Sequence, residues 1–137
     1  YEVKGVEEQM KDSKSYMNRK EAEIIGEIVS ELYANGFSGT LGIISGYSAQ
    51  KQLLRSVLSE YSDRITVDTV DGFQGSEKDV IIFSITRSNE RNDTGFLKDR
   101  RRINVAFSRA AKKLIVVGDK EIFDRLCKEV GLRKEYL

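Results

Sequence analysis

Residues 65 to 88 read ITVDTVDGFQGSEKDVIIFSITRS, two apolar runs enclosing a polar loop. The first run, Ile65-Thr66-Val67, is short and mostly β-branched. The second, Val80-Ile81-Ile82-Phe83, is apolar without interruption, the pattern of a strand covered on both faces. Between them, Asp68 to Asp79 contains Gly72 and Gly75, which permit tight turns or close approach of a ligand. Its hydroxyl, amide and carboxylate side chains are the handles a nucleotide or phosphate chain needs. A solvated connection can have the same composition, so the meaning of the loop depends on its surroundings.

Upstream, Ala22, Ile25, Ile28, Val29, Leu32 and Tyr33 recur at helical spacing. They predict a helix from Arg19, with Asn18 as N-cap and Gly36 at its stop. Leu41-Gly42-Ile43-Ile44 reads as a buried strand, and a second amphipathic helix follows with Leu53, Leu54, Val57, Leu58 and Tyr61 on one side. Downstream, Asn89 to Gly95 is a polar loop. Arg101 to Ala110 reads as a helix with Ile103, Ala106, Phe107 and Ala110 on one face and Arg102 and Arg109 on its flank. Leu114 to Val117 is another apolar strand. A last helix over 120–130 carries Ile122, Phe123, Leu126, Cys127 and Val130, capped by Asp119. Tyr1 to Lys14 mixes charge with few apolar residues and reads as a linker or frayed lead-in. Helices alternating with buried strands predict one α/β domain over residues 15–137, a mostly parallel sheet with helices on both faces.

The chain has 137 residues, 39% of them apolar, enough to build the core of a single domain. Twenty-three basic residues against 22 acidic ones give a net charge of +1, so any nucleic-acid surface must be local. Cys127 alone cannot form an internal disulfide, and the lack of histidine removes the commonest metal ligand, so no metal site is expected. No apolar run approaches the roughly 20 residues of a membrane span, and a reducing, intracellular setting is expected. A chain that opens on Tyr1 is expected to be a segment of a longer protein.

Two ordered stretches carry a resemblance: VDTVDGFQGSEKD (Val67–Asp79), and RRINVAFSRA (Arg101–Ala110) running into LIVVGD (Leu114–Asp119). They resemble motifs V and VI of superfamily 1 helicases, in the 5′→3′ group of the up-frameshift and senataxin-type enzymes. SYMNRKEA (Ser15–Ala22) resembles motif IIIa of that group, and GIISGY (Gly42–Tyr47) resembles motif IV. Four motifs in order cover most of the chain. Gly46 and Arg100 stand where the family often has proline, and Ala111 where it often has a basic residue.

The resemblance implies a three-layer RecA-like domain of the P-loop NTPase type, the second, C-terminal half of a helicase motor. Its implied partners are single-stranded DNA or RNA and the first RecA-like domain of the same parent chain, which would bind most of the ATP and Mg2+. No Gly-x-x-x-x-Gly-Lys-Ser/Thr loop occurs in this sequence. By the same resemblance, Arg109 matches the arginine finger that reaches the γ-phosphate, and Arg19 matches a second phosphate contact. Gln74, Gly75 and Glu77 match the motif V nucleotide contacts, Glu77 at the ribose hydroxyl. Ser45, Gly46, Tyr47, Thr69, Val70 and Asp71 match positions that line the single-strand track, where hydroxyls and backbone amides hold phosphates without reading bases. Tyr47 also fits an ordinary half-buried aromatic, and Asp68 and Asp119 fit turn or cap residues at strand ends. The alternative function is a catalytically inactive RecA-like docking module; Arg109, Arg19 and the Gln74–Glu77 run favour the motor.

Overall fold

The computed structural model describes residues 1–73, 76–91, 94–95 and 99–130. A hairpin of β1 (Glu7–Gln9) and β2 (Tyr16–Asn18) opens the chain. It is followed by α1 (Arg19–Ala34), β3 (Leu41–Ser45), α2 (Ser48–Val57), β4 (Ile65–Thr69), β5 (Lys78–Ser84), α3 (Arg100–Phe107), β6 (Ala110–Val117) and α4 (Lys120–Val130). β3 to β6 form one parallel sheet in the order β4-β3-β5-β6. No helix among the described residues is long and apolar enough to cross a membrane.

Successive residues of a strand point to opposite faces, so a strand with apolar residues at every position needs cover on both sides. Ile43, Val67, Val80, Ile82 and Ile115 meet Ala22, Ile25 and Val29 of α1 and Leu54 of α2. On the other face, Ile44, Ile81 and Phe83 meet Ile103, Ala106 and Phe107 of α3 and Ile122, Phe123 and Leu126 of α4. The three-layer α/β architecture expected from the sequence is the one observed. The end signals act as expected too. The Asn18 side chain accepts from Glu21 N at 3.1 Å, Gly36 follows α1 at φ +86°, and Asp119 Oδ1 accepts from Glu121 N at 2.9 Å. The Val130 side chain lies outside the described residues.

The two runs of the opening stretch are not neighbours in the sheet, because β4 and β5 flank β3 from either side, Leu41 pairing with Ile65 and with Val80. Their connection must therefore travel back across β3. Phe73, buried, lies over that strand at Gly42. A Cβ on Gly42 would collide with the Phe73 ring and come within 2.9 Å of Ile81 Cδ1. Glycine thus interrupts a run of large apolar residues to make room for the tip of an aromatic ring against the sheet.

Three expectations are corrected. α3 stops at Phe107, where Ser108 N bonds Asn104 O at 3.0 Å, and Ala110 already belongs to β6, paired with Lys78. The early part of β6 escapes notice because Ala-Ala-Lys-Lys is largely exposed on an edge strand and has no apolar rhythm. Arg109 consequently leaves the helix flank it was expected to share with Arg102. Secondly, Val57 is 40% exposed while Leu54 and Leu58 are buried, because α2 ends at Val57 and a 3₁₀ turn, Ser59–Tyr61, takes over. Thirdly, residues 1–14 are built into the domain rather than leading up to it. Val3 is buried, its N–H donates to Gly118 O at 2.8 Å, and Gly118 N donates to Tyr1 O at 3.1 Å. These partners are more than a hundred residues away, where local periodicity cannot register them.

Candidate functional site

Two groups of the residues singled out in the sequence occupy opposite edges of the sheet. At the N-terminal edge, Lys78 N donates to Arg109 O at 3.0 Å, which sets the exposed Glu77 beside the connection that carries Arg109. The Arg109 side chain is half-buried; its Nη2 donates to Ser108 Oγ at 3.2 Å, and its Nε is buried with no partner among the described residues. A guanidinium with a donor unmet among the described residues carries a permanent positive charge suited to an anion with oxygen acceptors. Arg102, in the first turn of α3 and so at the other end of that helix from Arg109, pairs with Asp71 at 3.5 Å and Asp99 at 3.7 Å in exposed contacts that contribute little stability. Gln74 and Gly75 lie outside the described residues.

At the C-terminal edge, Ser45 ends β3 opposite Thr69 of β4. The Ser45 hydroxyl shares a hydrogen bond with Thr86 Oγ1 at 3.1 Å and accepts from Tyr47 N at 3.1 Å, while its carbonyl accepts from Val70 N at 3.2 Å. Ser45, Gly46, Tyr47, Thr69 and Val70 are therefore brought together, with Asp71 exposed beyond them. Tyr47 itself is buried, edge-on to Tyr16 at 5.5 Å, and its hydroxyl accepts from Arg87 at 3.2 Å. Burial raises its phenol above the ordinary value.

Arg19 is apart from Arg109. It opens α1 in an exposed ion pair, Nε to Glu8 Oε2 at 3.0 Å, and the preceding Asn18 donates from Nδ2 to Thr86 O, just past the end of β5. The backbones of the two arginines are thus anchored at opposite ends of a seven-residue strand, a span of about 20 Å.

Sequence reasoning missed the buried polar network behind this edge. Glu21 is fully buried; Oε1 accepts from Ser84 Oγ at 2.9 Å and from Thr86 N at 2.8 Å, and Oε2 has no partner among the described residues. Desolvation pushes its carboxyl up to about 8, with hydrogen bonds from Thr86 and Ser84 opposing and Asp119 adding to the rise. Gln50 joins in, exchanging bonds with both backbone groups of Asn18 and donating to Ser84 Oγ at 3.1 Å. Thr86 holds φ at +71°, a strained value for a β-branched residue. Arg87, 5% exposed, lies 4.0 Å over the Tyr16 ring and donates from Nε to Glu7 Oε1 at 3.1 Å. An acid three residues after an N-cap ordinarily reads as a solvated first-turn charge, so only tertiary structure exposes the role of Glu21.

The titration of Glu21 leads to a pH prediction. Its folded pKa lies above its unfolded value of 4.5, so its contribution is fully present below pH 4.5 and is lost as pH rises towards about 8. Between pH 6 and 7 stability is expected to fall, by on the order of 1 kcal/mol, through this group. The chain has no histidine to titrate in that window. Denaturant melts at both pH values check this; Glu21→Gln should flatten the difference, and an unchanged slope in that variant would refute the assignment.

Among the described residues no group of three or more His, Cys, Asp or Glu side chains could hold a metal ion. Residues 1–121 match a family model described as an AAA domain. The chain is 42% identical over 120 residues to an uncharacterized ATP-dependent helicase of Methanocaldococcus jannaschii, covering 88% of this chain and 17% of that protein. It is 44% identical over 115 residues to DNA polymerase alpha-associated DNA helicase A of Saccharomyces cerevisiae, covering 81% and 17%. Against the regulator of nonsense transcripts 1 homolog of Neurospora crassa the identity is 36% over 132 residues, covering 90% and 12%. The chain spans less than a fifth of the length of these relatives.

Proposed function

Because the chain belongs to the AAA domain family and, within it, to the superfamily 1 helicase domains of the up-frameshift and senataxin group, we propose that it is the C-terminal half of an ATP-driven motor. In this reading it completes a nucleotide site shared with a first RecA-like domain and grips single-stranded DNA or RNA. The observation that carries it is the half-buried Arg109 guanidinium, whose Nε has no partner among the described residues and whose backbone is bonded to Lys78, next to Glu77. An orphaned donor on a permanent cation fits a phosphoryl oxygen, which supports ATP as the missing partner.

Arg109 would hold the terminal phosphate and Glu77 the ribose hydroxyl, with Gln74 and Gly75 close by in sequence; Arg19, paired with Glu8 at the opposite end of β5, stands outside this group. Bound ATP with Mg2+ supplies the phosphoryl group to be transferred. Arg109 contributes a planar fork of donors that can spread over charge developing on phosphoryl oxygens, and its fixed backbone bond to Lys78 holds that fork at one edge of the sheet. At the other edge, the Ser45–Tyr47 turn and Thr69–Asp71 would line the strand. Since the Ser45 hydroxyl and the Tyr47 ring are turned inward, their part is to shape the turn, leaving backbone groups and Asp71 to meet the strand. A sequence-independent grip suits translocation.

Purified alone, the 137-residue chain is expected to hydrolyse ATP at background rate, because the lysine and glycine-rich cradle for phosphates are not in it. Single-stranded oligonucleotides should bind weakly, with affinity falling steeply as salt rises. A turnover assay and a fluorescence titration check both. Robust turnover unaffected by Arg109→Ala would sink the motor reading, and tight, sequence-selective binding at physiological salt would favour an inactive docking module instead.

A further inference from the structure

At the C-terminal edge of the sheet the turns follow the strand order. The Ser45–Tyr47 turn after β3 lies between Thr69–Asp71 after β4 and the segment that leaves β5 at Ser84, the ladder partner of Ser45. We propose that Glu7, in the hairpin that precedes α1, is a positioning residue for this edge. It fixes the segment after β5 and, through it, the Ser45–Tyr47 turn. The inference rests on the reading that a single strand of nucleic acid passes along these turns.

Glu7 Oε1 accepts from three consecutive residues: Arg87 Nε at 3.1 Å, Ser88 N at 3.0 Å and Asn89 Nδ2 at 2.8 Å. Its side chain is 15% exposed, so these charge-assisted bonds are shielded and hold more firmly than surface pairs do. Arg87 relays the hold. Its Nη1 donates to the Tyr47 hydroxyl at 3.2 Å, and its guanidinium lies over the Tyr16 ring, which is itself edge-on to Tyr47. From the same hairpin, Ser15 Oγ accepts from Ala49 N at 3.1 Å in the first turn of α2. The Ser45–Tyr47 turn is therefore braced from the β5 side by Glu7 and from the α2 side by Ser15. Arg87 and Tyr47 are buried, so their part is to set where the backbone of the turn stands. A turn already held in its binding shape loses less freedom when it meets a ligand, and a loosened one binds more weakly. Arg109 and Glu77 are at the opposite, N-terminal edge, so nucleotide binding has no reason to follow Glu7.

The test uses the longer protein that carries this domain, with a fluorescent oligothymidine as the single strand and a non-hydrolysable ATP analogue as the nucleotide. Kd for each would be measured for the wild type, Glu7→Ala, Tyr47→Phe and Asp71→Lys, with thermal midpoints to report folding. Glu7→Ala should raise the oligothymidine Kd by roughly tenfold and leave the nucleotide Kd within about twofold. A role confined to stability would lower the midpoint and move neither Kd, or both alike, and either result overturns the proposal. Should Glu7→Ala fail to fold, Tyr47→Phe decides, since it keeps the ring and removes the hydroxyl that Arg87 holds. A rise in oligothymidine Kd of about threefold is expected there, and an unchanged value overturns the proposal. Asp71→Lys tests the reading beneath it. Asp71 is exposed in line with these turns, so the added positive charge should tighten oligothymidine binding by about threefold at low salt. An unchanged Kd in that variant removes the single strand from this edge and the role of Glu7 with it. A shift in Asp71→Lys alone keeps the single strand there and removes only Glu7.

Discussion

Replacing Arg109 by alanine in the longer protein is expected to lower nucleic-acid-stimulated kcat by roughly 10³ to 10⁵, the range over which arginine fingers act in phosphoryl transfer. ATP binding should weaken far less, because the cation matters most where charge develops in the transition state. Folding should be spared. Among the described residues the half-buried side chain bonds only Ser108 Oγ, at 3.2 Å, through Nη2, and its buried Nε has no partner there. Removing it opens no apolar cavity and deletes an unmet donor, so stability should move by no more than about 0.5 kcal/mol. Lysine should rescue poorly, since a point charge on a flexible stem cannot reproduce the fork. Steady-state ATPase assays with thermal midpoints for both variants provide the check, and a folded alanine variant with full kcat would remove Arg109 from the mechanism.

The second large effect concerns the ring seated on the sheet. Phe73→Ala should destabilise the chain by about 3–5 kcal/mol, because Phe73 is buried and its loss leaves a cavity that the glycine below cannot fill. Gly42→Ala alone should also destabilise, by about 1–3 kcal/mol, since its Cβ would enter the Phe73 ring and crowd Ile81 Cδ1. Combined, the two substitutions should cost about 1 kcal/mol or more less than their sum, the added methyl occupying space the ring has vacated. Urea denaturation of the four proteins closes the cycle. Strict additivity would mean that ring and glycine do not share that space.

What the sequence discloses and what it hides divide along a physical line. Val80 to Phe83 announced a strand buried on both faces because burial leaves a local signature, and Asn18, Gly36 and Asp119 announced helix ends because caps act within a few residues. The order β4-β3-β5-β6 was not legible, since nothing local states that the Val67–Val80 connection recrosses β3. Nor was the first half of β6, since Leu114 to Val117 reads as a strand but the exposed lysines before it mimic a loop. For the candidate site, the separation of Arg19 from Arg109 and the burial of Tyr47 arise from long-range packing. Glu21 shows the limit most clearly. Its neighbours Ser84 and Thr86 are more than sixty positions away, and a carboxyl at a helix start gives no hint that it has lost its charge.

The bonds between Tyr1–Val3 and Gly118 have a consequence for how the domain comes together. They join residues 1–3 to the end of the last strand, closing a loop of more than a hundred residues that holds every described element except α4. Such closure adds only about 0.6 kcal/mol for each doubling of loop length, yet it cannot form until β6 has been laid beside β5. A nascent or truncated chain ending before Gly118 would leave Val3 exposed and its N–H unpaired, so the hairpin end matures only with the final strand. Opening of these bonds on either side therefore exposes Val3 and frees the end of β6 at once, so residues 1–3 and Gly118 are expected to gain or lose hydrogen-exchange protection together.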